Sequence, residues 1–257
     1  MIHFDFQELR KDLVENASLP DKEKKKALDG LAKDFPSGIP KCGADALRLG
    51  LVNDEIKVQQ VNLDPKVITA NRNFCNKLWQ AVRLYKISKD KHPGVSGLTD
   101  DPSSLCVSSD VSLEDEWVLH QCACAVEQAN TSLESFDFHL AIRAMLNFVK
   151  SDLCDVYLEA IKPHLHKEQT TESVKVKVRV LHLCLVTALK LIHPVMPFIT
   201  EELYHHVGHT NHTTAGSIMI QSYPTSSQVK TSKTSKCRGK AFDQSLSVIF
   251  SKLSSNS

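Results

Sequence analysis

Apolar residues recur along most of this chain three or four positions apart, the spacing of a helix, and seldom in the strict alternation of a half-buried strand. Phe74, Leu78, Ala81 and Tyr85 form one such stripe, on a helix that Pro65 opens and that runs to about Lys86. Ser112-x-x-Asp115 is a capping-box pattern ahead of a second helix through Ala129. Asp137 precedes a third, in which Phe138, Ile142, Met145 and Val149 share a face and which extends toward Ile161 and stops at Pro163. Between Ser173 and Leu191 two periods compete. Val174, Val176, Val178 and Val180 alternate like a strand, whereas Val178, Leu181, Leu185, Ala188 and Ile192 repeat like a helix; the longer pattern predicts a helix. Pro194 and Pro197 then break the chain before a short helix carried by Thr200-Glu201-Glu202-Leu203 to about His206. The sum is an all-α bundle from about Pro65 to about Val207, with Phe74, Leu78, Ile142, Met145, Leu185 and Phe198 in its core.

Punctuation divides the chain into three parts. Residues 1–64 read as a short, irregular junction: Leu9 to Lys33 is charge-rich, with a surface helix opening at Pro20-Asp21 after a linker. Phe35-Pro36-Ser37-Gly38-Ile39-Pro40 then leads into a compact helical run after Gly43. Asp45 and Arg48 lie three apart on one face of that run and are expected to form a structural ion pair. Residues 65–224 hold the bundle, with His92 to Asp110 a loop joining two antiparallel helices. In residues 225–257 Ser, Thr and Lys dominate and little core can be built, which predicts a disordered tail.

Composition adds bounds rather than direction. With 257 residues, 42% hydrophobic and 24% charged, the chain can bury a real core, while a net charge of +1 supplies no global attraction for nucleic acid. Any RNA binding must then use local patches such as Lys22 to Lys26 or Lys175 to Arg179. The eight cysteines include no C-x-x-C pair, so neither a zinc site nor a disulfide framework is suggested, and reduced, largely buried thiols are expected. The most apolar stretch, Val178 to Phe198, is interrupted by His182, Lys190, His193, Pro194 and Pro197, so no membrane span is predicted. Early acids in Met1 to Glu8 argue against a transit peptide, and a cytoplasmic protein is expected.

Several segments together resemble one family. Phe35-Pro36-Ser37-Gly38-Ile39-Pro40, Asn73-Phe74-Cys75-Asn76-Lys77-Leu78-Trp79, Phe136-Asp137-Phe138-His139, Leu153-Cys154-Asp155-Val156-Tyr157-Leu158 and His193-Pro194-Val195-Met196-Pro197-Phe198-Ile199-Thr200-Glu201-Glu202-Leu203-Tyr204 are similar, in order and spacing, to the valyl-tRNA synthetases. The resemblance spans roughly Glu23 to Pro224. It implies the anticodon-binding helical bundle of that class I family, in a chain expected to be truncated and to lack the catalytic and editing domains. The family attaches valine to its tRNA with ATP and magnesium; no cofactor is expected in this chain. Valine tRNA is the implied partner, with a separate catalytic domain or a synthetase complex as a possible second one. Lys57-Val58-Gln59-Gln60 stands where relatives carry a Gly-Arg-Asp element, and the C-terminal arm expected after Pro224 is missing. A non-catalytic helical interaction or regulatory module derived from a synthetase is the alternative.

No catalytic residue is assigned. Lys86-Ile87-Ser88-Lys89-Asp90 and His206-Val207-Gly208-His209 imitate the mobile lysine loop and the His-x-Gly-His turn of class I synthetases, but in reverse order and after the junction, so both are read as coincidences. No metal site is assigned either: His205, His206, His209 and His212 read as a solvated helix end with no acidic or thiol partner nearby. The candidate tRNA-binding residues are Arg72, Asn76, Trp79 and Arg83, at four, three and four on the face opposite the first core stripe. Two roles stand open for Trp79, stacking on an unpaired base or packing against a neighbouring helix. Lys175, Lys177 and Arg179 are the second candidate set, either tracking phosphates or solvating the start of a buried helix.

Overall fold

The computed structural model of the protein describes residues 6–35, 41–53, 65–92, 94–95, 111–166, 171–207 and 216–225. Within them the regular structure is helical. In chain order the elements are α1 Phe6–Glu15, α2 Asp21–Asp34, α3 Ala44–Val52, α4 Pro65–Lys91, α5 Leu113–Glu134, α6 Phe138–Asn147, a π-helical turn Phe148–Tyr157 continuous with it, α7 Leu158–Leu165, α8 Glu172–Ile192 and α9 Pro197–Val207. A 3₁₀ turn, Ile218–Ile220, follows. More helix precedes Pro65 than the apolar pattern predicts, since α1 forms where a linker is expected. The segments at 36–40, 54–64 and 96–110 and the tail from 226 lie outside the described residues, so the Gly-Arg-Asp departure, most of the long loop and the expected disorder fall there.

The centre of the bundle is α8. It packs against α4, α5, α6, α7 and α9, and 16 of its 21 residues are buried. This resolves the competing periods: the alternating valines are all buried because the helix is enclosed on nearly every side, not because it is a strand. α4 and α5, the helices joined by the long loop, each pack more on α8 than on one another. Phe74, Leu78, Ala81 and Tyr85 are buried along α4, Ile142 and Met145 along α6, and Leu185 along α8. Burial of one such large side chain stabilises the fold by about 1.5–3 kcal/mol.

Phe198 departs from expectation: 68% of its surface is exposed. It stands in the first turn of α9, whose outer side faces solvent, and Met196, just ahead of that helix, fills the core instead. Phe138 at the start of α6 also keeps 38% of its surface exposed. The third predicted helix does not stop at Pro163. It runs to Leu165, with the proline in its last turn, and it contains the π-helical turn, for which the apolar pattern holds no signal.

Asp45 and Arg48 do not pair with each other; both grip the turn between α8 and α9. Asp45 accepts the backbone N–H groups of Phe198 and Ile199 at 3.4 and 2.7 Å, satisfying the open donors at the start of α9. Arg48 donates through Nε to the Val195 carbonyl at 2.8 Å and through Nη2 to the Pro194 carbonyl at 3.1 Å. The expected ion pair loses because backbone groups freed by two prolines lie closer to hand and have no helical partner. Buried Asn71 donates to the Ala46 carbonyl at 3.3 Å, so α3, α4 and α9 are fixed as one unit.

Candidate functional site

Arg72, Asn76, Trp79 and Arg83 all lie on the exposed side of α4, as their spacing predicts. They do not act alike. Arg72 donates through Nη1 to the Lys41 carbonyl at 2.6 Å, which turns it back toward the segment ahead of α3. Trp79 retains 40% of its surface and meets the His206 ring of α9 edge-on, with centroids 5.6 Å apart and planes at 77°. Of the two roles open from the sequence, the structure shows the packing of one edge on a neighbouring helix, and it leaves the rest of the ring facing solvent. Trp79, Val82, Arg83, Lys86, Leu203 and His206 line a cavity of about 230 Å³. A planar aromatic wall, an apolar floor and two cations at the rim are what an unpaired nucleobase with its phosphate requires.

Lys86 and His206 were not singled out for this role by sequence. A signal existed for Lys86, which lies three residues beyond Arg83 and hence on the same face. Nothing in the chain pattern could bring His206 there, because it arrives from α9.

The fold divides the second candidate set, burying its middle cation and leaving the outer two partly exposed. Lys177 is 3% exposed and cannot track phosphates: its ammonium lies 3.3 Å from the Asp115 carboxylate, itself 1% exposed, and donates to the Ser112 hydroxyl at 2.8 Å. Asp115 also accepts the Ser112 backbone N–H at 3.1 Å, completing the predicted capping box, and the Tyr157 hydroxyl at 2.7 Å. Burial first, and then the Asp115 charge, push the Tyr157 phenol well above its ordinary range, so it stays a donor. The reason for the correction is geometric. Positions 175, 177 and 179 span more than one turn, so three residues that read as one charged run cannot share a face of a helix. Lys175 and Arg179 remain at the surface, each facing Glu172 at 3.1 and 3.7 Å.

The described residues from Asp115 onward fall within a match to the family model for the anticodon-binding domain of tRNA ligase, which covers residues 115–252, more than half of the chain. The chain belongs to that anticodon-binding family. Among its relatives are the valine--tRNA ligase of Caenorhabditis elegans, 37% identical over 214 residues, and that of Homo sapiens, 35% identical over 213 residues. These alignments cover 80% and 83% of this chain but 19% and 16% of the relatives. The mitochondrial valine--tRNA ligase of Saccharomyces cerevisiae is 34% identical over 209 residues, or 80% of this chain and 18% of that relative. The chain thus spans under a fifth of the length of these relatives. In fold it is like the agnB2 LeuRS of Agrobacterium radiobacter K84, solved in a ternary complex with tRNA and LeuAMS, with a TM-score of 0.51 at 19% identity over 79% of this chain and 21% of that one.

Within this anticodon-binding domain the His-Pro-x-Met-Pro signature has a structural role. His193, buried, meets the Thr200 hydroxyl through Nδ1 at 2.7 Å, and that hydroxyl donates to the Met196 carbonyl at 2.7 Å. Since Thr200 gives its proton to the carbonyl, Nδ1 of His193 is the donor in their pair. Burial lowers the His193 pKa despite the nearby Glu201 and Asp45 carboxylates, keeping the ring neutral.

The Lys86 to Asp90 lookalike lies inside α4, where Ser88 is buried and donates to the Leu84 carbonyl at 2.8 Å. A phosphate loop needs free backbone N–H groups, and here they sit at the electronegative end of a helix. Of the other lookalike, His206 and Val207 close α9, and Gly208 and His209 lie outside the described residues, as does His212. The histidines do have acidic partners, contrary to expectation: His205 is 3.2 Å from Glu201 and His206 is 3.2 Å from Glu202, each one helical turn earlier. Among the described residues no group of three His, Cys, Asp or Glu is arranged to hold a metal, and no helix is long and apolar enough to cross a membrane.

Proposed function

We propose that this chain binds valine tRNA at the anticodon loop, as the anticodon-binding domain of a valine-tRNA ligase that couples valine to tRNA with ATP and magnesium. The observation that carries it is the half-exposed Trp79 over a cavity rimmed by Arg83 and Lys86, on a domain of an anticodon-binding family. Stacking one base on such a ring contributes about 1–3 kcal/mol. The family's reaction belongs to a catalytic domain elsewhere, and no residue described above is assigned to ATP or magnesium. The cytoplasm is the compartment we assign.

Trp117 is buried, so Trp79 is the tryptophan whose fluorescence a docked base would quench. Titration of the chain with valine tRNA should quench that emission, more strongly than a tRNA with another anticodon does. Equal quenching by both would remove the valine specificity, and no quenching with retained binding would move the contact off α4. One observation favours the alternative of a helical interaction module: the exposed Phe198 and Leu51 place apolar surface on elements that the Asp45 and Arg48 contacts hold together.

A further inference from the structure

The lysines of α2 are a charge cluster that the anticodon contact leaves unused. The helical period divides the run Lys22 to Lys26. Lys24 is half-buried and donates from Nζ to the Val14 carbonyl at 3.0 Å, satisfying an open acceptor in the last turn of α1. Lys22, Lys25 and Lys26 lie at i, i+3 and i+4, and Lys33 follows seven residues later, so the four share one exposed face. Among the described residues none of the four has an ion-pair or hydrogen-bond partner, although Asp29 stands on the same face. The first-turn acids Asp21 and Glu23 stand about 100° to either side of Lys22, where they complement the helix dipole. Opposite the lysines, Ala27, Leu28 and Leu31 are half-buried; α2 packs on α1, and neither helix packs appreciably on another described one.

We propose that the lysine face of α2 grips the phosphate backbone of a double-helical arm of RNA, separately from the anticodon contact and without regard to sequence. RNA as the ligand rests on the reading of the domain given above; the second contact does not depend on Trp79. A nucleic-acid duplex presents phosphates densely along its length, and each one neutralised by a lysine releases condensed counterions. Ammonium groups on long, flexible stems suit that task, and with no aromatic or amide side chain among the four the face holds nothing to read a base edge. Two weak contacts on one RNA reinforce each other, because the second forms at the high effective concentration set by the first. An anionic bilayer is the poorer match, since a helix that lies in a membrane surface needs a free apolar side and that of α2 is turned to α1.

The contrast with α8 supports the assignment. There Lys175 and Arg179 face Glu172 and Lys177 is buried against Asp115, whereas on α2 only Lys24 is engaged by the fold. With a net charge of +1 over the whole chain, attraction for a polyanion must come from a local set of cations left unpaired in this way.

The test measures salt-dependent binding of the full chain to valine tRNA and to an RNA hairpin closed by an unrelated loop. Both should bind the unaltered chain at low salt. Lys22→Gln, Lys25→Gln and Lys26→Gln combined should flatten the logarithmic salt slope for both by about 0.9 per lost phosphate contact. For three contacts, the unaltered chain should then lose about 40-fold more affinity than the variant between about 50 and 200 mM salt. The same three positions changed to Arg should keep the slope, and Lys24→Gln should leave it unchanged. Trp79→Ala should weaken tRNA binding and leave hairpin binding as it is. If the triple Gln variant keeps the slope while Trp79→Ala still weakens tRNA binding, the α2 contact is overturned and the anticodon reading stands; if the triple variant flattens the slope while Trp79→Ala changes nothing, the α2 contact stands without that reading. No binding of the hairpin by the unaltered chain, or lysine-dependent binding to phosphatidylserine vesicles in its place, also overturns the proposal.

Discussion

The outer face of α4 and the first turns of α8 carry the same kinds of side chain and use them in opposite ways. On α4, Arg83 and Lys86 lie at helical spacing beside an exposed tryptophan and stay at the rim of a cavity. On α8, the middle cation of Lys175, Lys177 and Arg179 is turned inward to neutralise Asp115, while the outer two face Glu172. A cation is available to an RNA phosphate only where the fold has not already given it a carboxylate. Residue type and sequence clustering leave that open; spacing relative to the helical period and the identity of the facing element settle it.

The sharpest way to break the contrast is Lys177→Met, which leaves the buried Asp115 carboxylate without its cation. Loss of one partner from a buried pair costs about 3–5 kcal/mol, so the urea midpoint should fall steeply while the affinity of the folded fraction for tRNA stays constant. A loss below about 1 kcal/mol would mean that Ser112 and Tyr157 satisfy the carboxylate unaided. Next in size is Trp79→Ala, expected to weaken tRNA binding by about 1–3 kcal/mol without altering its salt dependence, because stacking releases no counterions. Arg83→Ala should act the other way round: the logarithmic salt slope should flatten by about 0.7 for one lost phosphate contact on a single strand. Arg72→Ala, with its guanidinium already engaged by Lys41, should change that slope less. The smallest effect belongs to Lys175→Ala combined with Arg179→Ala, which should shift stability by no more than about 0.5 kcal/mol and leave binding within error. A clear loss of tRNA affinity in that double variant would restore α8 as an RNA contact.

The fold was largely legible because helix periodicity records which side of each segment is apolar. The stripe from Phe74 to Tyr85 and the cap at Ser112 to Asp115 needed nothing beyond local sequence, and the anticodon-binding signatures were recognisable in their order. The candidate site was legible in half. Trp79 and Arg83 followed from a face drawn on one helix, whereas His206 reaches them across α9, a pairing that no spacing within α4 could express.

What the sequence determined by itself is the presence of the helices from Pro65 onward, their starts at Pro65, Ser112 and Asp137, and most of their apolar faces, since these depend on interactions within a few residues; where the helices end it left several residues short. Its reading failed where a residue's partner lies far along the chain. Lys177 meets Asp115 62 positions away, and Asp45 meets the α9 start 154 positions away. Only the tertiary structure could show that the first is a core charge and the second a helix cap, because each carboxylate goes to whichever unsatisfied donor the packed helices bring within reach, and burial makes leaving that donor unpaired more costly than forgoing a local ion pair.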